Sequence, residues 1–157
     1  MTTEKSSLSI WVDADACPKA IKEILFKTSF RLKIPTCLVA NSYMPYPPGG
    51  VISSIQVDQG DDVADFYIVK HVKEKDIVIT ADIPLAALVV EKGALALNPR
   101  GELYDEENVQ ERLSMRDFMK DLRDSGVETG GPAPFGPKDK ERFSNTLNRL
   151  LSKIKKT

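Results

Sequence analysis

Apolar positions along this chain fall into short continuous runs, separated by polar turns and by stretches with helical spacing. Ser9 to Val12 ("SIWV") reads as a short buried strand. Pro18 suits a first helical position, where its missing N–H costs nothing. Ile21, Ile24, Leu25, Thr28 and Leu32 then follow helical spacing, which predicts a helix over 18–32. After Pro35, "TCLVA" (Thr36 to Ala40) is a second buried strand, and "NSYMPYPPGG" (Asn41 to Gly50) is a proline- and glycine-rich loop. Val51 to Asp58 has the β-branched content of a third strand, broken at Gly60. Asp61 to Lys75 reads as a helix opened by acidic residues, which suit the positive end of a helix dipole. Asp76 to Asp82 is a strand again, "IPLAALVVEKG" a short helix closed by Gly93, and Ala94 to Asn98 a fifth strand.

The order is β-α-β-β-α-β-α-β. Such alternation, with near-continuous apolar strands, predicts an α/β fold: three layers, a mostly parallel central sheet with helices on both faces. The direct passage from the second strand to the third predicts a change of position in the sheet. Beyond Arg100 the pattern becomes helical. "YDEENVQERL" suggests a short helix, and "SMRD" (Ser114 to Asp117) resembles a capping box that opens a second one running to Ser125. Met115, Phe118, Met119 and Leu122 give that second helix one apolar face. A glycine- and proline-rich loop spans Gly126 to Pro137. A last helix, over 138–156, carries Phe143, Leu147, Leu150, Leu151 and Ile154 on one stripe, expected to dock on a core formed by about residues 8–125. The expected organisation is thus a single domain.

Composition narrows the chemistry. The chain has 157 residues and a net charge of -1, from 22 basic and 23 acidic side chains. No global basic signal for nucleic acid exists, although a local patch would suffice for steering. No apolar run reaches the roughly 18 residues that span a bilayer. The two cysteines, Cys17 and Cys37, lack a zinc-ligand spacing, and the single histidine, His71, has no neighbouring ligand in sequence. Two cysteines and no apolar leader at the start lead us to expect a cytoplasmic protein.

The candidate chemistry is acidic. In parallel α/β sheets ligands sit beyond the carboxyl ends of the strands. Asp13 and Asp15 follow the first strand, Asp58 ends the third, Asp62 and Asp65 open the next helix, and Asp82 ends the fourth. The i, i+3 spacing puts Asp62 and Asp65 on neighbouring parts of one helix face. Each aspartate alone is better explained as a helix cap or a solvated residue, and Asp61 and Asp82 could each be only a cap. Their joint placement at three strand ends favours a shared site. Several close carboxylates cannot all stay ionised without compensation. Oxygen-only ligands suit Mg²⁺ or Mn²⁺, which polarise phosphates and activate water. Lys19, Asn41, Ser42 and Arg100 lie near strand ends, where they could contact phosphate; their alternative roles are surface charge and loop capping.

The motifs "VDADACP", "VDQGDDVADFYI" and "VITADIPLA", continued by "NPRGELYDEENV", "RDFMKDLR" and "GGPAPFGPKDKERFSNTL", resemble the YaiI/YqxD family of bacterial proteins. That family is grouped by fold resemblance with the PIN-like nucleases. The resemblance implies a PIN-like fold and a metal-dependent nuclease, with RNA the expected substrate ahead of DNA. It places the first-strand aspartate at Asp13, the helix-borne acidic pair at Asp62 and Asp65, and the late "T-x-D" aspartate at Asp82, as catalytic and metal-holding residues. Asp15 and Asp58 lie outside the general PIN pattern, as substrate-side or supporting residues. The glutamate usual in the middle of that pattern is not evident.

Two other readings compete. "IWVDADA" also resembles the opening of haloacid-dehalogenase-type phosphatases, with Asp13 as nucleophile, Asp15 as general acid and Ser42 as the phosphate-binding hydroxyl. Against it, Ala-Cys-Pro follows Asp15, and no lysine motif precedes "GDD". A cysteine phosphatase built on Cys17 would need a phosphate loop closed by arginine, and position 23 is Glu23. The third reading is non-catalytic, a module that binds RNA, a nucleotide or a protein partner.

Overall fold

The structure, a computed structural model, describes residues 8–60, 62–131 and 133–155, and of Ile154 and Lys155 the backbone alone. Its elements are β1 (Ile10–Asp13), a 3-10 turn (Ala14–Ala16), α1 (Lys19–Leu32), β2 (Thr36–Ala40), β3 (Ile52–Gln56), α2 (Val63–His71), β4 (Ile77–Ile79), α3 (Ile83–Glu91), β5 (Leu95–Leu97), β6 (Leu103–Tyr104), α4 (Val109–Asp124) and α5 (Pro137–Lys155). The strands form one sheet in the order β3-β2-β1-β4-β5-β6, so the change of position expected between the second and third strands falls instead between β3 and β4. All neighbours are parallel except the β5–β6 pair. The expected α/β class, with helices on both faces of a mostly parallel sheet, is what the chain forms, and it is consistent with a three-layer PIN-like fold.

Successive strand side chains point to opposite faces, and both faces are apolar. Ile10, Val12, Leu38 and Ile79 pack with Ile21 and Leu25 of α1 and with Phe143 and Leu147 of α5. Val39, Val78 and Ala96, on the other face, pack with Ile68 of α2 and with Leu85 and Val89 of α3. Leu150 and Leu151 continue the stripe of α5 into the first cluster; Ile154 lies outside the described side chains.

Asp76, read as the first residue of a strand, is instead a buried polar anchor just before β4. Its carboxylate accepts from Ser9 N at 2.9 Å, from Trp11 Nε1 at 3.0 Å and from Lys73 N at 2.9 Å. It thereby ties the entry of β1 to the turn that leaves α2.

The structure corrects three further expectations. First, α2 covers Val63–His71 and not 61–75; Asp61, a candidate cap, lies outside the described residues. Second, one helix, α4, replaces the two expected after Arg100. Asp105 and Asn108 bracket its start, with Asn108 N 3.1 Å from Asp105 Oδ1 and Asp105 N 3.0 Å from Asn108 Oδ1. No glycine or proline interrupts 109–124, so backbone bonding runs straight through Ser114 and overrides its capping signal. The apolar face expected there is largely uncovered, with Met115 54% and Phe118 56% exposed. Third, the two-residue strand β6 was not foreseen. It returns antiparallel to β5 across a turn closed by Gly101 N to Asn98 O at 2.8 Å.

That turn seats α5. Thr146 Oγ1 donates to Gly101 O at 3.0 Å. Gly101 has φ +94°, and a β-carbon there would stand 2.6 Å from Arg142 Cγ and 2.7 Å from its carbonyl carbon. Gly101→Ala is therefore expected to cost about 2–4 kcal/mol in urea unfolding, from left-handed backbone strain plus an overpacked contact. Asp76→Ala should cost roughly 2–4 kcal/mol in the same measurement, because it strands donors that its carboxylate now satisfies. Asp76→Asn, which keeps one acceptor oxygen, should lose less.

Candidate active site at the β1–β4 crevice

The strand order reverses direction between β1 and β4. From β1 the chain moves outward to β2 and β3, then returns to place β4 on the other side of β1. Beyond the carboxyl ends of two such strands an α/β sheet opens its binding crevice. Asp13 is the last residue of β1. Alternation puts it, like Trp11, on the face covered by α2 and α3.

A relay of hydrogen bonds joins the two strand ends. Thr80 Oγ1 donates to Asp13 Oδ2 at 2.9 Å and accepts from Asp82 N at 2.9 Å. Asp82 caps α3, its Oδ1 accepting from Leu85 N at 3.0 Å, with proline near the helix start. Asp82 is thus both the helix cap and a member of the acidic group; the two readings are compatible. Thr80 is buried, so its single proton is committed to Asp13.

Asp65, in the first turn of α2, completes the group. Its carboxyl is pushed up to about 7 by burial first, then by the charges of Asp82 and Asp13, a hydrogen bond to Asp82, and the charge of Asp62. Burial also raises Asp13; Thr80 opposes the shift, and Asp82 and Asp15 add to it. Three carboxylates from three separate elements therefore share one electrostatic environment. Among the described residues, however, no group of three or more His, Cys, Asp or Glu side chains is arranged to hold a metal ion.

The remaining candidates are placed as follows. Asp62 is exposed, just before α2, in the left-handed region at φ +69°. Asp15 turns toward β2, where its carboxylate accepts from Asn41 N at 2.8 Å and Ser42 Oγ at 3.4 Å. Asn41 and Ser42 are thereby used to fix a loop. Asp58 is exposed beyond β3, two strands away from β1 in the sheet order. Lys19 is exposed at the first residue of α1. Arg100 is engaged by the start of α5: Nη1 bonds Asp139 Oδ2 at 3.1 Å, Nη2 bonds Ala133 O at 2.6 Å, and the guanidinium lies 5.8 Å from the Phe135 ring centre.

Cys17 is buried in the core, and burial pushes its thiol up to about 12, so it is a packing residue and not a nucleophile. His71 stacks on Tyr67 at 4.1 Å, with its Nδ1 2.9 Å from Tyr67 O. The residue that sequence reasoning passed over is Thr80. It sat inside "VITAD", a run read only for its aspartate.

Fold and crevice define a three-layer α/β domain with an acidic group at its topological switch. The chain belongs to the YaiI/YqxD family: the family model described as "Uncharacterized BCR, YaiI/YqxD family" matches residues 11–153. A UPF0178 protein of Shewanella baltica (strain OS223) is 58% identical over 149 residues, covering 95% of this chain and 99% of that protein. A UPF0178 protein of Hydrogenovibrio crunogenus is 58% identical over 146 residues, 93% of this chain and 97% of its own length. One from Trichlorobacter lovleyi is 55% identical over 147 residues, with 94% and 96% covered. No solved structure matches the chain. Among the described residues no helix is long and apolar enough to cross a membrane.

The raised Asp65 makes stability depend on pH. An ordinary aspartate releases its proton near 3.8, and Asp65 near 7 in the folded chain. The stability that this proton contributes is fully present below the lower value and is lost as pH rises through the higher one. In chelator, the melting temperature should therefore fall from about pH 5 to about pH 8, and Asp65→Asn should flatten that fall. An equal slope in both proteins would contradict the crowding of carboxylates around Asp65.

Proposed function

We propose that this chain is a divalent-metal-dependent nuclease that hydrolyses phosphodiester bonds, RNA in preference to DNA. The observation that carries this reading is the meeting of Asp13, Asp65 and Asp82 at the β1–β4 crevice. Asp65 holds its proton to about 7 there because burial, and after it the charges of Asp82 and Asp13, disfavour its ionised form. A cation would take that proton's place. The donor set, carboxylate oxygens without usable histidine or thiolate, fits Mg²⁺ or Mn²⁺. Asp13, Asp65 and Asp82 would hold the ion, with Asp62 beside them. When bound, such an ion polarises a phosphate and lowers the pKa of water.

The protein's own part is positioning. Thr80 fixes one oxygen of Asp13, and the first turn of α3 fixes one oxygen of Asp82. Asp65, in the first turn of α2, would bind such an ion in its deprotonated form. Lys19, exposed at the head of α1, lies close to Asp15 in sequence and would suit a phosphate oxygen. The preference for RNA rests on the resemblance to PIN-like nucleases.

A second reading is a non-catalytic module that binds RNA or a nucleotide. It is favoured by the lack, among the described residues, of a ready three-ligand metal arrangement.

The test is cleavage of end-labelled single-stranded RNA and DNA in Mn²⁺ or Mg²⁺ by the wild type, Asp13→Asn and Asp82→Asn. Each substitution should lower the rate by roughly a hundredfold or more. Millimolar metal should raise the melting temperature of the wild type by linkage. Background cleavage alone in all three proteins, together with no thermal shift, would refute the nuclease. Binding without cleavage would support the second reading.

A further inference from the structure

Two exposed aromatic side chains follow directly in sequence on residues at the strand-end aspartates: Phe66 on Asp65, and Tyr43 on the Asn41–Ser42 pair that binds Asp15. Tyr43 is 70% exposed and Phe66 is 68% exposed, and no other large apolar side chain among the described residues is as open to solvent. Single exposed apolar residues are ordinary on a protein surface. The position of these two is not. Phe66 directly follows Asp65 in the first turn of α2. Tyr43 directly follows Ser42, whose hydroxyl, with the N–H of Asn41, binds Asp15.

The backbone that carries each ring is fixed by its neighbours. On one side of Tyr43, Asn41 and Ser42 are tied to Asp15. On the other, Met44 packs against the core, and its sulfur lies 3.3 Å from Lys22 Nζ. Pro45, Pro47 and Pro48 stiffen the loop further. Phe66 sits on a regular helix whose next residue, Tyr67, lies against Trp11, with ring centres 6.4 Å apart. Each aromatic ring is thus presented outward on a backbone already in place. Preorganised aromatic faces next to a phosphate-directed site suit bases that are free to stack. Bases inside a duplex offer no such face.

We propose that Tyr43 and Phe66 are stacking positions for the bases of an unpaired nucleic-acid strand whose backbone is presented to the Asp13–Asp65–Asp82 group. This rests on the nuclease reading for the role of the carboxylates, but it makes a separate claim about binding. It names the substrate class as single-stranded, with recognition through base faces and therefore little sequence preference.

Binding is measured by fluorescence anisotropy in Mg²⁺. The probes are a labelled RNA decamer with phosphorothioate links, a decamer of the same backbone without bases, and the decamer annealed to its complement. The wild type should bind the single strand roughly five- to a hundredfold more tightly than the abasic strand, and more tightly than the duplex. Tyr43→Ala and Phe66→Ala should each lose a factor in that range on the single strand and leave abasic binding unchanged. Tyr43→Trp and Phe66→Trp should retain it. Both positions are exposed, so unchanged melting temperatures verify that the variants fold. Equal wild-type binding of the single strand and the abasic strand, including no measurable binding of either, overturns the proposal. So do alanine variants that bind as the wild type does. Base-dependent binding without cleavage would remove the nuclease reading and leave the stacking sites standing. Cleavage that is indifferent to both aromatics would do the reverse.

Discussion

The pairing of β1 with β4 is the constraint on which the rest of this structure depends. Its register sets Ile10 against Ile77 and Val12 against Ile79. At the entry, the buried carboxylate of Asp76 collects the Ser9 N–H, the Trp11 indole and the Lys73 N–H. At the exit, Thr80 joins Asp13 to Asp82. A buried carboxylate is costly unless its oxygens are hydrogen-bonded. Charge-assisted bonds are among the stronger ones available to a fold. A shifted register would leave Asp76 unsatisfied and would pull Asp13 away from Thr80. The same contacts that align the two central strands therefore also bring two of the three crevice carboxylates together.

This arrangement builds a conflict into the crevice. Apolar packing of α2 and α3 on the sheet carries Asp65 and Asp82 toward Asp13, and each arrival makes the next charge harder to hold. The helix starts relieve part of it, since their N–H groups and dipoles favour negative charge. Asp82 uses that relief directly through Leu85 N. Asp65 has no such cap and answers by keeping its proton toward pH 7. Local strain of this kind persists where surrounding packing over-determines the geometry, and it gathers at sites that do work.

Much of the fold was legible because its strands are buried on both faces and so read as unbroken apolar runs. "TCLVA" marks β2 without error at either end, and "SIWV" locates β1 to within a residue. What the runs do not carry is the order of strands in the sheet. That order separates Asp58 from Asp13, although both simply follow a strand in sequence. Asp76 was misread because an aspartate at the head of an apolar run looks like a polar boundary, and its donors come from residues 3, 65 and 67 positions away. The signal at Ser114 was local and genuine, but an uninterrupted helix needs no new start. β6 spans two residues, too few for any alternation to register.

Arg100 shows how far the crevice depends on something other than its own cations. From sequence it was a natural phosphate contact at a strand end. In the fold its guanidinium is shared between Asp139, the carbonyl of Ala133 and the face of Phe135. It fastens the segment leading into α5, whose stripe fills one face of the sheet. With that charge engaged by Asp139, Arg100 does not offset the charges that Asp13, Asp65 and Asp82 exert on one another. A polyanion would approach those carboxylates against their charge. Two features of the surface answer this in different ways. On the proposed function, a divalent ion held by the carboxylates would reverse the local sign. On the stacking proposal, the exposed rings of Tyr43 and Phe66 would attract bases in a way that does not depend on charge. Together the two proposals describe a way to hold a nucleic acid strand without a basic surface, in keeping with a net charge of -1.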